Sequence, residues 1–290
     1  MRAAMPPRTP IIVSLSTVPF RLARLPDTVA NIHAALPTAA IVINIPHVLT
    51  RTGEPYGIVE PSLAALPYVV VQRCEDIGPI TKVLPTFALT RHLLDAVVLS
   101  IDDDINYSAE YLYWLLDAWF ENRAARPELV MAGMYTTIYV VSVVEGFAGI
   151  VYPRRAITDD MMRDMLASTL MCKSCFTTDD LVISTVLRNH GVLMCSPAGS
   201  RSRVHQLIRD SRSGHSDAAA LCNVQNNSVA YAACHRDITS SRGTSALECE
   251  IAESQYTRFL DSGAPELISK LDAWLATDMR KTPCCSLHSL

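Results

Sequence analysis

Ala96-Val97-Val98-Leu99-Ser100-Ile101-Asp102-Asp103-Asp104 is the stretch on which the fold reading turns. An aliphatic, β-branched run bounded by polar residues predicts a buried strand over 96–101. Three aspartates follow at once, at the carboxyl end, which is where open α/β sheets place their ligands. In extended chain Asp102 and Asp104 would share one side and Asp103 the other. Two carboxylates on one side of a strand end suit a hard divalent cation whose shell is completed by phosphate oxygens. The other reading is a solvated acidic turn, helped by Asn106 and by Ser108 as the cap of a following helix. Three adjacent carboxylates repel one another, so the cluster is costly without a cation or a basic partner.

Working outward, the upstream chain alternates strand and helix. Strands are predicted over Ile11–Ser16, Ile41–Ile45 and Tyr68–Val71. Leu22, Leu25, Val29, Ile32 and Leu36 recur at helical spacing before Pro37, and Thr81–Leu94 reads as a second helix with a proline in its early turns. The segment 46–61, with Gly53, Pro55 and Gly57, is loop by composition. Downstream, Ser108 and Glu110 open a helix whose buried stripe is Tyr111, Leu112, Leu115, Leu116 and Trp119. Residues 129–151 read as β runs separated by Gly133 and Gly146, and helices follow over 158–166 and 179–189, the latter closed by Gly191. Beyond Ser196 the Ser/Arg-rich chain reads as loop, with helical patterns only at 246–259 and 265–276. The alternation predicts an α/β fold with a largely parallel sheet.

Composition narrows the function classes. The chain has 290 residues, with 25 Lys+Arg against 29 Asp+Glu and a formal net charge of −4. That balance excludes a nucleic-acid binder that works by phosphate neutralisation, and 49% hydrophobic residues exclude a disordered chain. The most apolar stretch, Ile138–Tyr152, falls short of the ~20 residues of a spanning helix, carries Glu145 and contains two glycines, so it reads as buried strands and no transmembrane segment is expected. Arg2 and Arg8 before the apolar run 11–20 imitate a signal peptide faintly. Pro10, Pro19 and the lack of a small-residue cleavage site favour a first core strand, and a cytoplasmic protein is expected. Nine cysteines without framework spacing predict a reduced protein, with room left for one or two bridges; Cys172-Lys173-Ser174-Cys175 is a lone CxxC and reads as ordinary thiols.

Two further segments could carry chemistry. In Asp76-Ile77-Gly78-Pro79-Ile80-Thr81-Lys82 a Gly-Pro turn would let backbone approach a ligand, with Lys82 to meet phosphate charge and Asp76 to accept from a base or ribose hydroxyl; Gly-Pro before a helix is also plain turn chemistry. In Thr177-Thr178-Asp179-Asp180, Thr178 reads as an N-cap with acidic residues favoured by the helix dipole, or one aspartate is a general base at the end of a cleft.

Ser14–Leu22, Asp76–Lys82, the aspartate triplet, Glu145-Gly146-Phe147-Ala148-Gly149 and Asp179-Asp180-Leu181 occur in an order that resembles the GT-A-fold glycosyltransferases. Within that fold the chain is similar to a group found in large DNA viruses, algae and bacteria. The likeness spans 10–205, a GT-A-like catalytic domain with a Rossmann-like mixed sheet flanked by helices, and leaves 206–290 as a loop and helical extension of the same domain. It implies transfer of a sugar, of the hexosyl or deoxyhexosyl class, from a nucleoside diphosphate sugar to a hydroxyl of a glycan or other acceptor, with Mn²⁺ or Mg²⁺. By that resemblance Asp104, with Asp102, would hold the cation, Asp102 lying also near the donor ribose or sugar. Thr17, Arg21, Asp76, Lys82 and Asp103 would line the nucleotide pocket, and Gly146 and Gly149 would pass beneath the sugars. Asp179 and Asp180 match the acidic pair of inverting members, with Asp180 as the base. A late histidine, His205 ahead of His215 and His235, would be an additional metal ligand. The stretch after Ser200, without a family counterpart, is either an acceptor-side lid that orders on binding or a disordered insertion.

Two other classes compete. Metal-dependent phosphoryl or nucleotidyl chemistry also uses strand-end aspartates, but there is no P-loop pattern, and Ile105 and Asn106 stand where a phosphatase-type motif needs a hydroxyl. A non-catalytic nucleotide- or carbohydrate-binding protein on the same scaffold is the third.

Overall fold

The computed structural model describes residues 9–138, 141–171, 173–210, 227–240 and 265–281. The first half runs β1 (Ile11–Ser16), a 3-10 turn (Pro19–Arg24), α1 (Leu25–Ala35), β2 (Ala40–Pro46), a small hairpin of β3 (Val48–Leu49) and β4 (Glu54–Pro55), α2 (Pro61–Ala64), β5 (Val69–Cys74), a 3-10 turn (Gly78–Lys82), α3 (Leu84–Leu89) and β6 (Val97–Ser100). The second half runs α4 (Ala109–Asn122), β7 (Val130–Ala132), β8 (Tyr135–Ile138), β9 (Val141–Val144), β10 (Ile150–Pro153), α5 (Asp159–Met171), α6 (Lys173–Phe176), α7 (Asp179–Asn189), β11 (Met194–Cys195), α8 (Ser200–Asp210), α9 (Asn227–Ser240) and α10 (Pro265–Lys281).

Seven strands form one sheet in the order β11-β7-β10-β6-β1-β2-β5. β1 pairs in parallel with both β2 and β6, and β2 with β5, while β10 lies antiparallel between β6 and β7. The mainly aliphatic, largely buried runs of β1, β2 and β6 are what a parallel sheet covered on both faces demands. From β1 the chain winds outward through β2 to β5 and then returns across β1 to lay down β6 on its other side. This makes the β1/β6 boundary a topological switch point, where the carboxyl ends of the strands diverge and leave a crevice.

Side-chain alternation sorts the core into layers. Val13 and Leu15, with Ile41, Ile43, Ile45 and Leu99, pack beneath α1 and α4 through Val29, Ile32, Leu112 and Leu115. Val98 and Tyr152 on the opposite face meet Phe87, Met162, Met165, Leu181 and Val182 from α3, α5 and α7. Ile12, Val42 and Val70 are covered by Leu271 and Leu275 of α10. Ser108 caps α4 as its sequence predicts, accepting a hydrogen bond from the Tyr111 amide at 3.2 Å.

Four expectations need correction. The helix over 81–94 is broken into a 3-10 turn and the short α3, because Pro85 has no N–H to continue a helix and sits where a new one starts. Thr178 does not cap α7; its hydroxyl donates to the Ser174 carbonyl at 2.9 Å. The Ser/Arg-rich region holds α8 and α9 rather than loop alone, because Val204 and Leu207 on α8 and Ala230 and Cys234 on α9, each pair on one helical face, are buried. Cys175 and Cys234 form a disulfide, against the reading of reduced, ordinary thiols. Helix 265–276 is found as α10, while 246–259 lies outside the described residues. Among the described residues no helix is long and apolar enough to cross a membrane.

Candidate functional site

A cleft of about 300 Å³ opens at the carboxyl ends of the parallel strands. β1 delivers Thr17 to it, β2 delivers Pro46, β5 delivers Asp76 and β6 delivers the aspartate triplet. Arg21 comes from the turn after β1, Lys82 from the turn after β5, and Asp179 and Asp180 from the start of α7. Nine of the residues singled out in the sequence therefore line one cavity, although they span more than half of the chain.

The triplet does not alternate as extended chain would. β6 ends at Ser100 and the backbone turns, so Asp102 points one way and Asp103 and Asp104 share a partner. Asp102 Oδ1 lies 3.0 Å from Lys82 Nζ. Asp103 accepts from the Thr17 hydroxyl at 2.6 Å and from Arg21 Nη1 at 2.8 Å, and Arg21 Nη2 lies 2.9 Å from Asp104 Oδ2. Arg21 thus forks across two neighbouring carboxylates, which offsets the repulsion that makes such a cluster costly. Burial pushes the Asp103 carboxyl up to about 6, against the pull of Arg21 and of the Thr17 hydroxyl.

Lys82 was expected to face phosphate, and instead stands among carboxylates. Its ammonium, only 8% exposed, is 3.0 Å from Asp102 and 3.1 Å from Asp179 Oδ2. Burial would lower its pKa, but Asp102, then Asp179 and Asp180, hold it well above the ordinary lysine value, so it stays charged. The Gly146 amide donates to Asp180 Oδ1 at 2.9 Å. A Cβ on Gly146 would come within 2.3 Å of Lys82 Nζ and 2.9 Å of Asp180 Oδ1, so this glycine makes room for the lysine and the aspartate. Burial, and next the Asp179 carboxylate, pushes Asp180 well above the carboxylate range, while Lys82 and the Gly146 N–H pull the other way.

The remaining candidates divide. Asp76 accepts from the Thr50 amide at 2.7 Å and the Gly78 amide at 2.9 Å, so it ties the hairpin to the turn at the rim. Gly78, at φ +76°, lines the cleft, and the position its Cβ would take is filled by the Phe176 backbone. Gly149 lies outside the cleft, packed over Leu115 and Ile101, and its carbonyl accepts from the Gly133 amide at 2.8 Å to start β10. His205 is exposed on α8 and does not line the cleft; His235 lies on α9, and His215 falls outside the described residues.

Sequence reading missed the polar floor that sets Lys82 in place. The Ser14 hydroxyl donates to the Lys82 carbonyl at 2.5 Å, Asn44 Nδ2 donates to the same carbonyl at 3.2 Å, and Asn44 and Ser14 both reach the Thr86 hydroxyl, at 2.9 and 2.6 Å. The signal was present: Ser14 and Asn44 are polar interruptions in otherwise apolar buried strands. Tyr56, Phe176 and Tyr231 were also not singled out and line the cleft, as does Phe147 of the Glu145–Gly149 segment. The Tyr56 hydroxyl donates to the Thr17 carbonyl at 2.8 Å and closes that rim.

Six aspartates against Arg21, Arg51 and Lys82 leave the cleft with an excess of carboxylate. Among the described residues no group of three or more His, Cys, Asp or Glu side chains is arranged to hold a metal ion by itself. Compared with known proteins, the chain matches no family model, and no curated protein shows significant similarity to it.

Proposed function

We propose that the chain is a glycosyltransferase of the GT-A type, which moves a hexosyl or deoxyhexosyl group from a nucleoside diphosphate sugar to an acceptor hydroxyl with inversion. The observation that carries this reading is one cleft, at the switch point of a mainly parallel sheet, that holds the strand-end triplet, the Lys82 ammonium between Asp102 and Asp179, and the half-buried Asp180 with its carboxyl pushed upward. A carboxyl group pushed upward is a stronger base once ionised, and on this reading Asp180 takes the proton of an acceptor hydroxyl. The acceptor oxygen then bonds to the anomeric carbon while the bond from that carbon to the diphosphate oxygen breaks, its electron pair leaving with the diphosphate.

The carboxylate excess supports Mn²⁺ or Mg²⁺ at Asp104 and Asp102, since these ions take one or two carboxylates and complete the shell with substrate phosphates, which needs no third protein ligand. Such an ion would neutralise charge on the departing diphosphate. Arg21 is the group whose hold on Asp104 must loosen to admit it, and Thr17 keeps Asp103 in place meanwhile. A non-catalytic nucleotide-binding protein is the second reading, favoured by the pairing of Asp102 and Asp104 with basic side chains.

Thermal unfolding with UDP, GDP, CDP, ADP or dTDP, each with and without Mn²⁺, tests the proposal on wild type, Asp104→Ala and Asp180→Asn. A ligand at 100 times its dissociation constant adds about 2.7 kcal/mol. One nucleotide should stabilise wild type and Asp180→Asn only with metal, and Asp104→Ala not at all. Donor turnover should vanish in Asp180→Asn. Nucleotide binding with no turnover in the wild type selects the second reading; no stabilisation by any nucleotide rejects both.

A further inference from the structure

One wall of the cleft comes from α9, an element outside the motif segments. α9 contributes Tyr231, and three features hold its helix to the wall of the site. Cys234, one turn after Tyr231 and hence on the same helical face, is bonded to Cys175 of α6. The Ser174 hydroxyl bonds Asp237 Oδ2 at 3.3 Å, and the Tyr231 ring packs against the core beneath α5 and α7.

Among the tyrosines that line the cleft, the hydroxyl of Tyr231 differs from that of Tyr56; the Tyr152 hydroxyl also lacks a hydrogen-bond partner among the described residues but is buried in the core and does not line the cleft. The hydroxyls of Tyr56, Tyr107 and Tyr111 each donate to a backbone carbonyl, of Thr17, Phe147 and Ala148 respectively. That of Tyr231 makes no hydrogen bond to any described residue, although its ring is anchored and it lines the cleft. Burial, then Asp180, Asp179 and Glu145, raise its pKa, so it remains a neutral donor. Phe147 follows the glycine that binds Asp180, and Phe176 precedes Asp179 by three residues; both are half-buried and face the same cavity. An anchored aromatic wall with one unspent hydroxyl beside a basic carboxylate matches a pyranose, which offers apolar C–H faces and a rim of hydroxyls.

We propose that the acceptor is itself a sugar ring, seated against Phe147 and Phe176, and that Tyr231 is an acceptor-binding residue whose hydroxyl holds the ring with one of its oxygens at Asp180. This rests on the transferase reading above and adds to it the acceptor class and the element that recognises it. A simple alcohol presents one hydroxyl and no C–H face, so it is a poor substitute.

The test uses the full oxidised chain with the nucleotide and metal that stabilise it. Saturation-transfer NMR is run with the methyl pyranosides of glucose, galactose, mannose, N-acetylglucosamine, xylose and fucose, with glycerol as control, and transfer from the matching donor is measured with the same compounds. At least one pyranoside should bind and glycerol should not. Tyr231→Phe, which keeps the ring and its packing, should raise the acceptor KM about tenfold, as loss of one hydrogen bond implies, with the donor KM and the nucleotide-induced unfolding shift unchanged. Tyr231→Ala should raise it further. The proposal is overturned if no pyranoside binds, if glycerol serves equally well, or if both variants leave the acceptor KM where it was. Failure of nucleotide and metal to stabilise the wild type is a different result, and rejects the transferase reading beneath it.

Discussion

Lys82 Nζ lies 3.1 Å from Asp179 Oδ2 and in the same position reaches Asp102 at 3.0 Å, so one buried ammonium joins the strand-end triplet to the start of α7. Removing it leaves Asp102, Asp179 and Asp180 facing one another in low dielectric. Lys82→Met should therefore destabilise the fold by about 3–5 kcal/mol, although methionine fills much of the same space. Urea unfolding measures this; a loss under 1 kcal/mol would mean that the three carboxylates find solvent or protons without the lysine.

The same lysine is one of the groups that restrain the pKa of Asp180. The acid limb of kcat/KM should thus lie well above the ordinary aspartate value, and activity should rise with pH as Asp180 ionises. In Lys82→Met the limb should move further toward alkaline pH, because burial and Asp179 then act unopposed by it. A limb at pH 4 in the wild type rules out Asp180 as the titrating base.

Asp103 makes a separate prediction for stability. Its carboxyl titrates near 6 in the folded chain and near 3.8 when unfolded, so the folded state binds the proton more tightly. Its contribution to stability is therefore greatest below about pH 4 and declines as pH rises to 6, by an amount on the order of 2–3 kcal/mol. The difference in unfolding free energy between wild type and Asp103→Asn, followed from pH 3.5 to 7, should fall with that sign; a difference that rises with pH contradicts it.

The Cys175–Cys234 bridge spans 59 positions of sequence. Closing a loop of that length restricts the unfolded chain by about 4 kcal/mol on the chain-entropy account. Dithiothreitol should lower the unfolding midpoint of the wild type and leave the Cys175→Ser/Cys234→Ser double variant unaffected.

Gly78 combines a φ of +76° with a Cβ position 2.0 Å from the Phe176 carbonyl oxygen. Both obstacles are backbone and neither can rotate away. Gly78→Ala should cost about 2–3 kcal/mol in denaturant unfolding, whereas Gly53→Ala, also at positive φ but with nothing near its Cβ position, should cost about 1.

How much of this was legible follows from what each feature depends on. β1, β2 and β6 were readable because buried parallel strands are written as mostly aliphatic runs, and the residues just past their carboxyl ends could be nominated on topology alone. The partners of those residues could not. Whether Arg21 forks onto Asp103 and Asp104, or Lys82 turns to Asp102 rather than outward, depends on where long side chains end in space once β6 stops at Ser100. Nor could sequence show that the space beside Gly146 is taken by the Lys82 ammonium and the Asp180 carboxylate. α9 escaped notice because its buried face rests on Ala230 and Cys234, small residues that barely register in an apolar pattern, and the covalent bond that fixes it pairs positions with no spacing rule between them. Tyr231 was hidden with it.

Ser14 and Asn44 hold the Lys82 carbonyl and both reach the Thr86 hydroxyl, and the same stitch bears on how the sheet assembles. β2 is aliphatic at every position but Asn44 and its closing proline, and neighbouring aliphatic strands can slide past one another with little loss of apolar contact. In the observed pairing Ser16 lies opposite Asn44. A slip of one residue would turn the Asn44 amide to the other face, among Val13, Leu15, Val29 and Ile32, with no polar group to meet it. The stitch is thus a registration mark: only one alignment of β1 and β2 lets the asparagine find its partners, so the register of the sheet and the floor of the cleft are set by the same side chains.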